Sequence, residues 1–212
     1  MSLKFTVDLT EVPAYYINLD KDIEKREKIE DSLDSLGFKS VTRFPGFKED
    51  IKRIGVAKSH QAILKELADS PTPFIIFEDD IQIGQFVNKI DVPSDADAFY
   101  LGNSVFGLYG GLGKRRVSVQ RLDRETFRLY NMLAAHAIMY LNNDYVKFLI
   151  QAIDFNLSIE TNQDKARAET MKYWKVYGYH NPMFYQAGRH ENFTKIALPN
   201  KFCVGPDQAF QL

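Results

Sequence analysis

The segment that most constrains the fold of this chain runs from Phe74 to Asp80. Four apolar residues, Phe74 to Phe77, are followed directly by Glu78, Asp79 and Asp80, and prolines at positions 71 and 73 precede them. A short apolar run bounded by prolines is typical of a strand that is buried on both faces of a largely parallel sheet. Because ligands bind at the carboxyl ends of strands in an open α/β sheet, the acidic residues mark a predicted binding edge.

The three carboxylates at the end of this run allow two interpretations. Carboxylates cannot all be buried as anions without partners, and oxygen ligands suit a hard divalent cation such as Mg²⁺ or Mn²⁺. Such a cation would in turn favour a ligand that carries phosphate groups. The alternative is a strand that ends in a solvated acidic turn.

The composition narrows the class of protein. A length of 212 residues, with 45% hydrophobic and 26% charged residues, predicts one globular domain over residues 1–212. The net charge of −1 argues against broad attraction to nucleic acid or membranes, and the single cysteine, Cys203, excludes an intramolecular disulfide. Since neither a signal peptide nor an apolar run of membrane-spanning length is evident, we expect a cytoplasmic protein without a transmembrane segment.

Strands and helices alternate along the chain. Predicted strands lie at Ala14–Leu19, Val41–Phe44 and Phe74–Phe77, and helices follow the first two, the second of them from about Ala57 to Ala68. A further apolar segment at Ala134–Leu141 leads into another helix. This alternation predicts an α/β fold with a mainly parallel central sheet.

Four segments, in chain order, together carry a resemblance to a known enzyme family. They are Ile17-Asn18-Leu19-Asp20 followed by Arg26, Gly55 with Ser59-His60, Glu78-Asp79-Asp80 after its apolar strand, and Ala134-Ala135-His136-Ala137. This ordered set resembles glycosyltransferase family 25, the lipopolysaccharide and collagen galactosyltransferase type, over about residues 14–196. The chain departs from the family pattern near its end, where Lys195 stands in the place of an acidic residue.

The resemblance implies a single-domain GT-A fold, which is Rossmann-like and binds a nucleotide-sugar at the carboxyl ends of its strands. It makes Glu78-Asp79-Asp80 the metal-binding motif, with Asp80 as the principal ligand of Mn²⁺ or Mg²⁺, Glu78 beside it and Asp79 in the donor site. The metal would bridge the diphosphate of a donor such as UDP-galactose or UDP-glucose. Strand alternation places Glu78 and Asp80 on one face if the strand continues as far as Asp80.

The same resemblance assigns further residues to the donor site, each with a structural alternative. Asn18 would contact uracil or ribose, or cap the local backbone, and Arg26 would face the diphosphate or remain solvated. Ser59 and His60 are adjacent on a helix and therefore not a catalytic pair, but both belong to the donor site by resemblance. His60 is then a core histidine beside the nucleotide pocket. His136 would contact the donor sugar or the acceptor, or be a core histidine.

An inverting transfer needs a carboxylate that deprotonates the acceptor hydroxyl. By resemblance the candidate bases are Glu160 first and Asp164 second. His190 is an additional candidate metal ligand, with an ordinary loop histidine as its alternative.

The acceptor is the least constrained part of the prediction. A bacterial surface glycan is the leading hydroxyl acceptor. The basic stretch from Lys114 to Arg128 is usually a solvated face, but it leaves open a nucleic-acid acceptor such as a hydroxylated base in viral DNA. A non-catalytic domain that binds glycans or nucleotides is the third alternative. A phosphotransferase of the haloacid-dehalogenase type is disfavoured, because Glu78 stands where that class needs an aspartate nucleophile.

Overall fold

The computed structural model describes residues 3–104, 106–108 and 117–186, which fold into twelve strands and four α-helices. The strands are β1 (Lys4–Asp8), β2 (Ala14–Asn18), β3 (Val41–Pro45), β4 (Phe74–Glu78), β5 (Ile81–Ile83), β6 (Lys89–Pro93), β7 (Ala98–Tyr100), β8 (Val119–Arg121), β9 (Thr126–Leu129), β10 (Ala137–Tyr140), β11 (Val176–Tyr179) and β12 (Phe184–Gln186). The helices are α1 (Ile23–Ser35), α2 (Lys52–Leu67), α3 (Asn143–Ser158) and α4 (Gln163–Thr170). Among these described helices, none is long and apolar enough to cross a membrane.

Eight of the strands form a mixed central sheet in the order β3-β2-β4-β10-β7-β11-β9-β8. In the described part of the chain three neighbouring pairs are parallel, namely β3–β2, β2–β4 and β7–β11, and the other four are antiparallel. The fold is therefore α/β, but the prediction of a mainly parallel sheet is not confirmed, because β10 and β9 each run opposite to both of their neighbours. A single domain over residues 1–212 stays a prediction.

The reversed direction of β10 matters for the position of the site. Strand β2 runs parallel to β4 with Ile17 opposite Glu78, whereas Ala137 at the start of β10 lies opposite Phe77 near the end of β4. The carboxyl ends of β2 and β4 and the amino end of β10 therefore meet at the same edge of the sheet, which we call the carboxyl edge. Residues from three separate parts of the sequence converge there.

The apolar residues of β4 divide between two hydrophobic cores. Phe74 and Ile76 pack with residues of α2 and α3 on one face of the sheet, and Ile75 and Phe77 pack with residues of α1 on the other. All four side chains are at most 1% exposed, and full burial of each stabilises the fold by about 1.5–3 kcal/mol. The prediction of a strand buried on both faces is confirmed, and the acidic residues follow a strand that is anchored in both cores.

Helix α2 begins at Lys52, five residues earlier than the sequence pattern predicts. Gly55 lies in its first turn, where a Cβ atom would stand 2.6 Å from the Phe47 carbonyl oxygen. The missing side chain lets the loop after β3 lie directly against the helix. The Ser59 hydroxyl fixes this contact, since it donates to the Gly55 carbonyl and accepts from the Phe47 N–H, both at 2.7 Å.

Candidate functional site

The acidic triplet stands at the carboxyl edge, where its middle residue turns away from the other two. The Asp79 carboxylate accepts a hydrogen bond from Asn18 Nδ2 at 2.8 Å and lies 3.3 Å from Lys25 Nζ. Asn18 is itself buried, and its Oδ1 accepts from Arg43 Nε at 3.1 Å. The structure thus joins Asn18 and Asp79, two predicted donor-site residues, and adds Lys25 and Arg43, which the sequence analysis did not identify.

Strand β4 ends at Glu78, and the turn that follows brings Asp80 to the same side as Glu78. One atom contacts both carboxylates: Gln186 Nε2 lies 3.3 Å from Glu78 Oε2 and 3.2 Å from Asp80 Oδ2. Gln186 is held in place because β12 pairs with β5, which puts Gln186 opposite Ile81. The two carboxylates and the amide form a compact polar group at the carboxyl edge.

Asp80 has the most unusual environment of the three acids. Its Oδ1 atom is buried and makes no hydrogen bond to any described residue. Burial, followed by the nearby charges of Glu78 and Asp79, raises the pKa of Asp80 to about 6. The ionised form of a carboxylate in such surroundings is destabilised by burial and by its two anionic neighbours, and a bound cation would stabilise it strongly.

Behind Glu78 lies a buried chain of hydrogen bonds. His60 on α2 is 1% exposed, and Arg167 on α4 is fully buried. Arg167 Nη2 lies 3.1 Å from His60 Nδ1, and His60 Nε2 lies 2.9 Å from Glu78 Oε1. Because arginine only donates, Nδ1 accepts and the ring proton is on Nε2, which donates to Glu78. Burial and the charge of Arg167 lower the pKa of His60 well below its ordinary value, so the ring is neutral.

A cavity of about 40 Å³ adjoins this polar group. Its polar lining residues are Glu78, Asn103, Ser104, His136, Asp164 and Gln186. Burial, followed by the charge of Glu78, raises the pKa of Asp164 above its ordinary value. The cavity therefore brings the Asp164 carboxyl group, His136 and Glu78, the first residue of the acidic triplet, into one small space.

His136 reaches the cavity because the residue facing it is a glycine. His136 Nε2 lies 3.2 Å from the Phe184 carbonyl oxygen, to which its N–H donates. A Cβ atom at Gly102 would stand 2.1 Å from the same nitrogen. The ring is thus packed directly against the backbone after β7, and any side chain at position 102 would displace it.

The structure places other predicted site residues away from the cavity. Arg26 is exposed on α1 and pairs with Glu30 at 3.1 Å. Glu160 lies two residues beyond the end of α3 with a left-handed φ of 55°, and its exposed side chain is not among the residues that line the cavity. Ser59 is buried and makes the two internal hydrogen bonds described above. Of the two candidate bases, only Asp164 lies beside the acidic triplet.

The basic stretch from Lys114 to Arg128 is only partly described. Arg128 is buried, and its guanidinium donates to the backbone carbonyls of Leu129, Met171, Trp174 and Val176. It is therefore a structural residue and does not belong to a surface that contacts nucleic acid. Positions 114–116, and the candidate ligand His190, lie outside the described residues.

The two carboxylates of Glu78 and Asp80 are compatible with a divalent metal that receives most of its ligands from water and from a bound phosphate compound. Within the described ranges, no group of three or more histidine, cysteine or acidic side chains is arranged to hold a metal ion. Magnesium sites, however, commonly use one or two protein carboxylates and complete their coordination with water and substrate phosphates. The unpaired Asp80 Oδ1 and the adjacent Glu78 fit that pattern.

Comparisons with known proteins add little to this geometry. No protein-family model and no curated protein match the chain. One similar solved structure is the nucleoside-diphosphate-sugar pyrophosphorylase from Vibrio cholerae RC9, with 13% sequence identity, coverage of 80% of this chain and 73% of that chain, and a TM-score of 0.46. A likeness at this level says nothing about activity, and the resemblance to glycosyltransferase family 25 stays a prediction.

Proposed function

We propose that the protein is a metal-dependent glycosyltransferase of the GT-A type, which moves a hexose from a nucleotide-sugar to a hydroxyl acceptor. UDP-galactose or UDP-glucose is the proposed donor and a bacterial surface glycan the proposed acceptor. The observation that carries the proposal is the buried Oδ1 of Asp80, which has no hydrogen bond to any described residue and lies beside Glu78 at the carboxyl edge of the sheet. The four ordered sequence motifs support it independently.

In this proposal Asp80 and Glu78 would hold Mn²⁺ or Mg²⁺ together with the diphosphate of the donor. When bound, the metal supplies Lewis-acid stabilisation of the charge that develops on the departing nucleoside diphosphate. Asp80 contributes its unpaired oxygen, and the neutral His60 keeps Glu78 oriented by hydrogen bonding. Asn18 holds Asp79 away from Asp80, so that the triplet does not place three anions at one point.

The acceptor hydroxyl needs a base on the cavity side, and Asp164 is the better of the two candidates. It lines the cavity with Glu78 and His136, whereas the Glu160 side chain is exposed at the end of α3. Burial moves the pKa of Asp164 upward, toward neutral pH, and a general base is most efficient when its pKa lies near the working pH. In-line attack by the deprotonated hydroxyl inverts the anomeric centre.

The direct test is a panel of sugar nucleotides incubated with Mn²⁺ and scored for donor hydrolysis by mass spectrometry. We expect hydrolysis of UDP-galactose or UDP-glucose, abolished by EDTA and reduced at least about 100-fold by Asp80→Asn, since a metal ligand contributes at least as much as its supporting residues. Hydrolysis that is unaffected by Asp80→Asn would place the metal elsewhere. Binding of UDP without hydrolysis of any donor would favour a non-catalytic domain.

A further inference from the structure

Arg167 is the largest fully buried side chain among the described residues, and it carries a charge. Burying an unpaired charge is costly, so a buried arginine normally donates to several acceptors. Arg128 follows that rule, because its two terminal nitrogens reach four backbone carbonyls. Arg167 does not follow it, since its Nε and Nη1 make no hydrogen bond to any described residue.

A hydrogen bond joins Nη2 of the Arg167 guanidinium to His60 Nδ1 at 3.1 Å. That bond determines which nitrogen of the ring carries the proton, because Nδ1 must accept. The proton is then on Nε2, where it donates to Glu78 Oε1 at 2.9 Å. A ring with the opposite tautomer would present a lone pair to the carboxylate and repel it.

We propose that Arg167 is a positioning residue, which acts through His60 to fix the carboxylate of Glu78 beside Asp80. This inference rests on the proposed function, in which Glu78 and Asp80 hold the metal and the diphosphate. With Oε1 held by His60, the second oxygen is directed toward the Gln186 amide that it shares with Asp80. The arrangement matches the general pattern in which a residue behind a metal ligand sets its orientation and contributes 10–100-fold to metal affinity.

The test is a double-mutant cycle, with Mn²⁺-dependent UDP binding measured by calorimetry. Arg167→Met should weaken the apparent Mn²⁺ affinity about tenfold in the wild-type background. In a Glu78→Ala background the same change should have no further effect on the Mn²⁺ affinity, because the side chain through which Arg167 is proposed to reach the metal is then absent. Equal losses in both backgrounds would overturn the inference and make Arg167 a purely structural residue.

Arg128→Met is the matched control, since it also removes a buried arginine. It should lower the melting temperature without changing the Mn²⁺ affinity for the UDP complex. An equal loss of Mn²⁺ affinity in Arg128→Met would show that general destabilisation explains the effect of Arg167→Met, and would overturn the inference.

A second pair of variants keeps the inference testable if Arg167→Met does not fold. His60→Gln retains an amide nitrogen near the position of Nε2 and should preserve Mn²⁺-dependent UDP binding. His60→Asn is too short to reach Glu78 and should weaken it about tenfold. Equal Mn²⁺ affinities in the two variants would contradict the proposed role of the hydrogen bonds that link Arg167, His60 and Glu78.

Failure of this inference can be told apart from failure of the proposed function. If Asp80→Asn leaves Mn²⁺-dependent UDP binding intact, the assigned metal site is wrong and both proposals fall. If Asp80→Asn abolishes it but Arg167→Met and His60→Asn do not weaken it, only the positioning role is overturned.

Discussion

Acidic side chains lie at both ends of the strands of the central sheet, at the carboxyl edge and at the opposite edge, but their hydrogen bonding differs. At the edge where β4 and β7 begin, an open groove of about 420 Å³ is lined by Asp95 and Asp97, among others. Asp97 accepts from the Asn142 side chain at 2.7 Å and from the Lys175 N–H at 2.6 Å. Asp95 accepts from the Tyr177 hydroxyl at 2.9 Å. These carboxylates tie loops together.

At the carboxyl edge the cavity is about 40 Å³, roughly a tenth of that size. Yet this is where Asp80 keeps a buried oxygen without a hydrogen bond to any described residue, and where burial raises the pKa of Asp164. The volume of a cavity or groove is therefore a poor indicator of a functional site in this molecule. In the described part of the chain the groove also holds an unsatisfied amide oxygen, Asn143 Oδ1, so the better guide is an unsatisfied carboxylate oxygen such as Asp80 Oδ1.

The largest expected effect is a loss of kcat when the proposed base at the carboxyl edge is replaced. Asp164→Asn should lower kcat about 10²–10⁴-fold, the usual contribution of a general base, while Mn²⁺-dependent UDP binding changes little. Glu160→Gln is the control and should leave kcat near the wild-type value. Steady-state kinetics with an identified donor and acceptor provide the measurement, and a larger loss in Glu160→Gln than in Asp164→Asn would reverse the assignment of the base.

At the opposite edge the expected effect is on stability. Asp97→Asn places an amide donor against groups that already donate, so the free energy of unfolding should fall by about 1–3 kcal/mol. Urea denaturation measures this change. Donor hydrolysis per folded molecule should stay unchanged, and a loss of activity without a loss of stability would mean that the groove takes part in function.

Asp80→Asn should change stability in the other direction. It removes a partly buried charge that lies beside two anions, and so the metal-free protein should gain about 1 kcal/mol of unfolding free energy at pH 7. The same variant loses the proposed metal binding. If Asp80→Asn and Asp97→Asn both destabilise the metal-free protein, the contrast between the two edges is not supported.

The last expected effect is a pH dependence of the free energy of unfolding of the metal-free protein. The pKa of Asp80 is raised to about 6 in the folded state, so between its unfolded value and pH 6 the folded protein holds a proton that the unfolded chain has released. Its contribution to unfolding free energy therefore falls as pH rises from about 4 to 6, by at most about 1.4 kcal/mol per pH unit, and then becomes constant. Urea titrations at several pH values, compared with Asp80→Asn, should show a slope difference in this window; identical slopes would contradict the raised pKa.

Local patterns in the sequence were sufficient to predict β4 and the acids that follow it. A short apolar run bounded by prolines and carboxylates is a signal that does not depend on distant residues. Alternation would place Glu78 and Asp80 on one side only if the strand continued to Asp80; the strand ends at Glu78, and it is the following turn that lets both carboxylates contact Gln186.

Features that depend on packing between distant segments were not predictable in the same way. Arg167 lies in a polar stretch and becomes buried only when α4 packs against α2. The choice between Glu160 and Asp164 depends on where α3 ends, and the left-handed backbone at Glu160, just after that end, has no strong marker in the sequence. Likewise, the apolar residues of β10 do not reveal its direction in the sheet.

The reversed direction of β10 has a practical consequence for redesign of the protein. Because this strand starts at the carboxyl edge, residues 133–136 enter the cavity as the chain approaches the sheet. Changes of length or composition just before β10 would reshape the small cavity, while changes just after it would reach only the groove at the other edge. A library that aims to alter substrate choice should therefore vary the entrance to β10 and leave its exit intact.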